Sequence, residues 1–160
     1  DRSCPNFFEA MPEEGVLLDF GCGTGEIARR HWIDREGRTV LMDVDGPNFD
    51  YLRKKYSGYQ VQCRPVSHGL PATYDGFLCL DVLEHILDPL TTLAALWDRL
   101  RPGGQAVIWF DQSYPAAGHL KASIDHIPAY DQWVSTRTTV LHRGQFDWLE
   151  KPRRWWRLWT

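Results

Sequence analysis

The sequence predicts an α/β fold built on a doubly wound, mostly parallel β-sheet. Short apolar segments of strand length alternate with segments whose apolar residues recur at helical spacing. The clearest apolar segment, residues 75–81, has a continuous apolar centre, which is typical of a strand covered on both faces. Connections between the segments are short. This alternation favours parallel strands joined by helices.

The predicted elements follow one another closely along the chain. Strands are predicted at residues 16–20, 39–43, 59–63, 75–81 and 105–110. Helices are predicted at residues 26–32, from Pro47 onward, and from Pro89 to a stop before Pro102. Because aspartate suits a helix cap and proline suits the first turn, we expect Asp45 to cap the second of these helices. Gly103 and Gly104 are predicted to form a turn.

The C-terminal region departs from this alternation. Residues 113–133 predict a loop followed by a helix, residues 136–142 a strand, and residues 154–159 a returning strand after a turn at Arg143 and Gly144. Two strands joined without a helix are antiparallel, so we expect a hairpin at the sheet edge. The last ten residues contain four basic side chains, which either protect an edge strand or form a partner surface: Lys151, Arg153, Arg154 and Arg157.

Length and composition narrow the possible functions. A chain of 160 residues predicts one domain, and we assign residues 1–160 to it. The formal charge of −3 gives no reason to expect nucleic acid as a partner, and no apolar run approaches the roughly 18 residues of a membrane span. The four cysteines match no metal signature and predict reduced thiols in a cytoplasmic protein. Because the chain begins with Asp1, we expect a piece of a longer polypeptide.

The segment from Asp19 to Gly25 carries the strongest functional signal. Its glycines alternate with other residues between a predicted strand and a predicted helix, which lets a ligand approach the backbone. The third glycine comes one residue too early for a dinucleotide-binding fingerprint. Asp19 and Glu26 would repel a pyrophosphate, whereas a ligand with an ammonium and a sulfonium group would be attracted. Asp43 ends the next strand, where a carboxylate can bind ribose hydroxyls.

Five segments in order and at matching spacing resemble class I S-adenosylmethionine-dependent methyltransferases, particularly small-molecule enzymes such as the ubiquinone-biosynthesis O-methyltransferases. They lie at residues 16–25, 40–45, 69–77, 81–89 and 100–104. The resemblance implies a seven-stranded sheet whose final strand pair is antiparallel. It also implies a cofactor-binding set, with the glycine loop at the methionine portion and Asp43 at the ribose: Asp19, Gly21, Cys22, Gly23, Asp43, Val44, Val66, Ser67 and Asp81.

The chain departs from the family pattern after the third strand. Relatives often have an acid there that meets the adenine amino group, but residues 63–67 contain no carboxylate. We therefore expect backbone groups near Val66 and Ser67, or the Ser67 hydroxyl, to recognise the adenine.

Asp81, Glu84 and His85 form a cluster after the fourth strand, where this fold opens its active site. We predict His85 and Asp111 as catalytic residues, because either side chain can serve as a base for an oxygen nucleophile. Similar clusters bind a divalent metal in some relatives, and His119 or His126 could then add a ligand. We nevertheless assign no metal ligand, because the cluster is better explained as a turn of this family that shapes the cofactor pocket.

The resemblance predicts transfer of a methyl group from S-adenosylmethionine to a metabolite or glycan, with oxygen as the expected target and direct in-line displacement as the mechanism. The alternatives are a catalytically silent cofactor-binding domain of a larger protein, or an aminopropyltransferase. Only the short stretch from Asp1 to Glu14 leads into the first strand, so we expect an open site that suits a bulky acceptor. Other domains of the polypeptide or a second copy of the chain are possible partners.

Overall fold

The computed structural model describes residues 5–33 and 38–153, which form a seven-stranded mixed sheet. The strands lie in the order β3-β2-β1-β4-β5-β7-β6. Their bounds are Val16–Phe20 (β1), Arg38–Asp43 (β2), Val61–Pro65 (β3), Tyr74–Leu80 (β4), Leu100–Trp109 (β5), Thr139–Arg143 (β6) and Asp147–Glu150 (β7). The helices are Pro5–Ala10 (α1), Glu26–His31 (α2), Pro47–Lys55 (α3), Pro89–Arg99 (α4), Lys121–Ile124 (α5) and Ile127–Arg137 (α6).

Helices cover both faces of the sheet, because successive residues of a strand point to opposite sides. In β1, Leu17 packs into a core shared with α1, α2 and α3, whereas Leu18 packs into a second core shared with α4 and α6. Both side chains are completely buried. This arrangement, with five parallel strands and an antiparallel final pair, confirms the predicted fold class.

The C-terminal hairpin is confirmed, but its second strand lies earlier than predicted. β7 pairs antiparallel with both β5 and β6, and it spans Asp147–Glu150 rather than residues 154–159. Residues 154–159 fall outside the described part of the chain. Two helices instead of one precede the hairpin. The second of them continues through Arg137, which delays the start of β6 to Thr139.

Several predicted boundaries are also corrected by the structure. β3 begins at Val61 rather than at residue 59. Gly103 and Gly104 lie within β5 instead of forming a separate turn, because their backbone groups pair with Lys151 while the register against β4 shifts. Asp45 does not cap α3. The N-cap residue is Gly46, and no side chain caps that helix end.

The N-terminal helix α1 packs against one face of the sheet. Phe7 and Phe8 of α1, and Met11 just after it, are buried in the core shared with α2 and α3. Met11 and Phe7 contact Gly76 near the beginning of β4, which lies at the opposite end of that strand from the glycine loop. Within residues 5–33 and 38–153, no helix has the length and apolar character needed to cross a bilayer.

Candidate functional site

The glycine loop crosses the end of β2 immediately after β1. The backbone N–H groups of Gly21 and Cys22 both donate to the carbonyl oxygen of Met42, at 2.8 and 3.0 Å. Gly21 has φ +69°, and a Cβ atom there would lie 2.3 Å from a methyl carbon of Val82. Gly23 has φ +53° and no atom within 4 Å of a Cβ position. The loop therefore leaves open space above Gly23, where a ligand can approach the backbone.

Asp43 joins the end of β2 to the glycine loop. One carboxylate oxygen accepts a hydrogen bond from the Gly23 N–H at 2.6 Å, and the other accepts one from the Val44 N–H at 2.8 Å. A carboxylate has about four acceptor positions. Two positions consequently remain for donors of a ligand, such as a pair of ribose hydroxyls.

Asp19 is buried beneath the loop, with 5% of its surface exposed. Burial and the neighbouring Asp43 carboxylate raise the pKa of Asp19 to about 7, while the backbone N–H of Ala28 in the first turn of α2 lowers it. Two carboxylates close together in a partly apolar environment favour a positively charged ligand. This electrostatic pattern fits the ammonium and sulfonium groups expected from the sequence.

Residues at the C-terminal end of α3 bind the second half of the glycine loop. The buried Tyr56 hydroxyl contacts the carbonyl oxygens of Thr24 and Gly25, at 3.2 and 3.0 Å. The Lys55 ammonium donates to the Thr24 carbonyl at 2.9 Å and forms an ion pair with Glu26. These contacts connect the glycine loop to the end of α3, the helix that follows β2 and Asp43, so the loop is held from both β2 and α3.

A cleft of about 500 Å³ opens beside the loop at the carboxyl ends of the parallel strands. Six of the predicted site residues line it: Gly21, Asp43, Val44, Val66, Asp81 and His85. The remaining lining residues are Phe20, Val82, Ile86 and Thr92. The other five predicted residues are not among the residues that line it: Asp19, Cys22, Gly23, Ser67 and Asp111. The cleft thus brings five of the nine candidate cofactor residues together with His85, one of the two candidate bases.

The backbone bends sharply where β4 ends beside the cleft. Asp81 has φ +56°, and in the described ranges it is the only residue other than glycine with a positive φ. Such a conformation is uncommon outside glycine, although aspartate tolerates it better than most residues. The bend leads into a short 3-10 turn, Leu83–His85, which presents His85 to the cleft. A positive φ at Asp81 is a feature that the sequence analysis did not anticipate.

Two histidines meet beside the cleft. The rings of His85 and His119 lie edge to face, with centroids 5.1 Å apart. Nδ1 of His85 lies 2.8 Å from the Gly118 carbonyl oxygen, and Nδ1 of His119 lies 2.7 Å from the Ser113 carbonyl oxygen. Because a carbonyl oxygen can only accept, each Nδ1 carries the proton, and Nε2 keeps a free lone pair when the ring is neutral.

Glu84 lies fully buried beside these histidines. Neither carboxylate oxygen makes a well-formed hydrogen bond to any residue in the described ranges. Burial raises the pKa of Glu84, although the backbone N–H groups of Glu84 and Asp111 and the neighbouring His85 oppose this shift. Burying an ionised carboxylate without full hydrogen bonding is costly, so the group stays protonated and neutral unless a nearby cation stabilises its charge.

Residues 2–155 match the family of proteins described as methyltransferase domains. The chain belongs to this family. It is an S-adenosylmethionine-dependent methyltransferase domain of class I, and S-adenosylmethionine is the cofactor of the family. The resemblance found in the sequence is thereby confirmed.

Relatives of the methyltransferase domain include a curated ubiquinone biosynthesis O-methyltransferase from Dinoroseobacter shibae, 34% identical over 111 residues. That match covers 65% of this chain and 42% of the relative, so the matched region is less than half of the relative's length. The fold is similar to that of the N-methyltransferase NodS from Bradyrhizobium japonicum, with a TM-score of 0.67 and 12% identity. The structural match covers 92% of this chain and 93% of NodS.

The methyltransferase domain also contains residues that could hold a divalent metal. Glu84, His85 and His119 can each offer one ligand atom, and these atoms lie within 4.8 Å of one another. Asp81 and Asp111 form a second such set with Glu84. The uncompensated carboxylate of Glu84 fits a cation, and mixed nitrogen and oxygen ligands suit zinc or a similar ion.

The position of His119 could not be predicted from the sequence, in which His119 and His126 were equivalent candidates for an additional metal ligand. The structure brings His119 against His85, whereas His126 is the residue that precedes α6. Folding of the loop after β5 makes this difference, since the Leu120 N–H donates to the Glu84 carbonyl at 2.9 Å. No sequence motif marks that contact.

Proposed function

We propose that the domain transfers a methyl group from S-adenosylmethionine to a hydroxyl group of a small-molecule acceptor, with His85 as the base. One observation carries this proposal: five of the nine candidate cofactor residues line the same cleft as His85. The similarity to ubiquinone biosynthesis O-methyltransferases supports oxygen as the target atom. A glycan acceptor also fits the proposal, because α1 packs against the sheet face and contributes no residue to the lining of the cleft, which leaves room for a bulky acceptor.

We propose that Asp43 binds the ribose and that Asp19, Gly21, Cys22 and Gly23 surround the methionine portion. The open backbone above Gly23 and the unused acceptor positions of Asp43 support this placement. The raised pKa of Asp19 supports it further, because a nearby ammonium group would stabilise the ionised carboxylate. In this arrangement Asp81 and Val44 border the bound cofactor from either side of the cleft.

The chemistry requires one proton transfer and one displacement. Nε2 of His85 accepts the proton of the acceptor hydroxyl while the oxygen forms a bond to the methyl carbon. The bond between that carbon and the sulfonium sulfur breaks, and its electrons neutralise the sulfur. The Gly118 carbonyl stabilises the imidazolium ion that results, because it already accepts the Nδ1 proton. Alignment of the reactants supplies the larger part of the rate enhancement.

Asp111 has a different role in this proposal. One oxygen of its carboxylate accepts the Ser113 N–H at 2.9 Å, at the start of the loop that carries His119. We therefore propose His85 as the base that contacts the acceptor and Asp111 as a residue that positions the loop. The sequence predicted a catalytic role for both His85 and Asp111, and this proposal keeps that role for His85 alone.

A divalent metal at Glu84, His85 and His119 would lower the pKa of an acceptor hydroxyl when bound. It would occupy Nε2 of His85, so a metal ligand and a free base are mutually exclusive roles for this nitrogen. A chelator separates them. Activity that persists in excess chelator supports His85 as the base, whereas loss of activity that is restored by one added metal ion contradicts it.

Isothermal calorimetry with S-adenosylmethionine and S-adenosylhomocysteine tests the cofactor site. Asp43→Ala removes the ribose acceptor and should weaken binding by about 1–3 kcal/mol, the scale of hydrogen bonds to a charged group. Asp50→Ala, which removes an exposed acid from α3, is the matched control and should bind normally. An unchanged dissociation constant for Asp43→Ala would contradict the placement of the ribose.

A product assay then distinguishes an enzyme from a silent domain. The purified chain is incubated with labelled S-adenosylmethionine and a panel of hydroxylated aromatic compounds and sugars, and methylated products are identified by mass spectrometry. Methyl ethers support the proposal. Cofactor binding without turnover on any acceptor favours the silent domain, and transfer only to amines would contradict oxygen as the target.

A further inference from the structure

A second hollow lies at the carboxyl end of β5. Its volume of about 60 Å³ gives room for a few water molecules or for a polar group of a ligand. The end of β5, helix α6 and the turn between β6 and β7 form its walls. Most of the side chains that line it are polar; the lining residues are Ile108, Phe110, Gln112, Tyr130, Arg143, Gly144, Gln145 and Asp147.

Asp147 supplies this hollow with a buried carboxylate, of which 7% of the residue surface is exposed. Oδ2 of Asp147 accepts a hydrogen bond from the buried Tyr130 hydroxyl at 2.6 Å. Oδ1 lies 3.5 Å from Nε of Arg143, which is an ion pair longer than a normal hydrogen bond. Because a carboxylate has about four acceptor positions, Asp147 keeps positions for a donor that enters the hollow.

Tyr130 and Arg143 hold the carboxylate in place and balance its charge. Burial and the neighbouring Asp147 raise the pKa of Tyr130, so its hydroxyl stays protonated and continues to donate. The Arg143 guanidinium also forms an ion pair with Asp131 of α6. A guanidinium has five N–H donors, and two ion pairs leave some of these donors for a ligand.

This combination of charges selects the chemistry of the ligand. A hydroxyl group can donate to Asp147 and accept from Arg143 at the same time. A ligand carboxylate would be repelled by Asp147 and Asp131, and a ligand ammonium would be repelled by Arg143. The exposed amides of Gln112 and Gln145 can both donate and accept, so they suit neighbouring hydroxyls. The hollow therefore matches a sugar or another polyol.

Only one residue separates this hollow from the groups that border the cleft. Gln112, which lines the hollow, directly follows Asp111 at the start of the loop after β5. A carboxylate oxygen of Asp111 lies within 4.8 Å of one of Asp81, and Asp81 lines the cleft. A ligand that extends from the cleft past Asp111 would therefore enter the hollow.

We propose that the hollow is a second acceptor subsite, in which Asp147 and Arg143 bind one hydroxyl of a sugar or polyol while another hydroxyl of the same molecule lies at His85. The proposal rests on the proposed function, since it requires the methylated hydroxyl to lie in the cleft. Asp147 and Arg143 bind the acceptor here and take no part in the proton transfer.

Two classes of acceptor test the subsite. Initial rates are measured with labelled S-adenosylmethionine on methyl glucoside, methyl galactoside and methyl mannoside, and on phenol and 4-methylphenol, which have a single hydroxyl. We expect kcat/KM of the unmodified chain to be about tenfold or more higher for the best sugar than for the best phenol.

Asp147→Asn should reduce this preference. The new amide can keep the Tyr130 hydrogen bond through its oxygen, but its nitrogen replaces the acceptor that faces the hollow. We expect KM for the best sugar to rise by about tenfold or more, because a hydrogen bond to a charged group is lost. Kinetic constants for the phenols should remain unchanged, since these acceptors do not reach the hollow.

Gln112→Ala is a second variant that leaves the buried Tyr130–Asp147 pair intact, because the Gln112 side chain is exposed. It should raise KM for the best sugar by about threefold or more, with no change for the phenols. Gln132→Ala removes an exposed amide of α6 outside the hollow and is the matched control, with normal constants for both classes. Thermal unfolding verifies that each variant is folded at the assay temperature.

The comparison of the two acceptor classes separates the subsite from a general loss of structure. The inference is overturned if the unmodified chain methylates phenols but none of the three sugars. It is also overturned if Asp147→Asn and Gln112→Ala reduce the rates on both classes equally. In either case the proposed function stands, because a hydroxyl group is still methylated. If the unmodified chain methylates neither class, the proposed function fails and the inference fails with it.

Discussion

The proposed cofactor side and the proposed acceptor side of the cleft are built in different ways. On the cofactor side, the glycine loop meets Asp43 at the ends of two neighbouring parallel strands. On the acceptor side, the turn after β4 meets a loop that lies more than thirty residues later, through the contact of His85 with Gly118. One side depends on motifs within short segments, and the other depends on how a long loop folds back.

This difference is reflected in the hydrogen bonds of the two sides. Backbone groups of the glycine loop are held by Met42, Asp43 and Tyr56, which belong to or adjoin regular elements. The acceptor side is held by loop contacts, including the Ser123 hydroxyl that donates to the Ile86 carbonyl. We infer that the shape of the methyl-donor site depends on the sheet and its adjoining helices. Selectivity for the methyl acceptor depends instead on the loop of residues 111–126.

Replacement of His85 should produce the largest effect and should divide the two sides most clearly. His85→Ala removes the proposed base, so we expect turnover to fall by about 100- to 10,000-fold. Cofactor affinity should change by less than about threefold, because Asp43 and the glycine loop remain intact. The measurements are initial rates on the best acceptor and calorimetry with S-adenosylhomocysteine.

His126→Ala is the matched control for this variant, because His126 precedes α6 and does not line the cleft. It should retain normal turnover. A normal rate in His85→Ala, or an equal loss in His126→Ala, would contradict the assignment of the base. An equal loss of cofactor affinity in His85→Ala would show that the two sides are not independent.

Asp19→Asn should affect stability and cofactor binding in opposite directions. The pKa of Asp19 is raised from 3.8 to about 7 in the folded chain, so the folded state holds a proton that the unfolded state releases. The stability contributed by this proton is present below pH 4 and is lost as pH rises toward 7. At pH 8, Asp19→Asn should therefore raise the free energy of unfolding by roughly 1–3 kcal/mol.

The same substitution should weaken cofactor binding at pH 8, because the neutral amide cannot attract an ammonium group. For the unmodified chain, affinity should decrease by about tenfold for each pH unit below 7, as Asp19 becomes protonated. Thermal unfolding and calorimetry between pH 5.5 and 8 measure both effects. A binding constant independent of pH over this range would show that Asp19 does not face the cationic part of the cofactor.

Tyr56→Phe should give the smallest effect. It removes one buried hydroxyl that contacts the Thr24 and Gly25 carbonyls, while the ring continues to fill the core. We expect a loss of about 0.5–1.5 kcal/mol in unfolding free energy and a cofactor affinity reduced a few fold. Turnover at saturating cofactor should be unchanged. Tyr59→Phe, at a half-exposed neighbour, serves as the control, and an equal effect there would contradict a specific role of Tyr56.

Much of the fold could be predicted because its signals are local. The apolar centre of β4, the start of α4 at Asp88 and Pro89, and the glycine loop each occupy a few consecutive residues. The returning strand was predicted at the wrong residues because the segment 147–150 is short and lies close to other segments rich in aromatic residues. Its pairing depends on register against β5, and register is decided by contacts between distant segments.

The sequence by itself determined the alternating α/β pattern, the family and the acids proposed to bind the cofactor. These features follow from the spacing of apolar residues and from side chains that directly follow a strand. The tertiary structure alone decided that His119 meets His85, that Asp45 binds Ser67 and that Glu84 is buried without full hydrogen bonding. Each of these depends on how loops from different strand ends pack together, and that packing leaves no periodic signal in the chain.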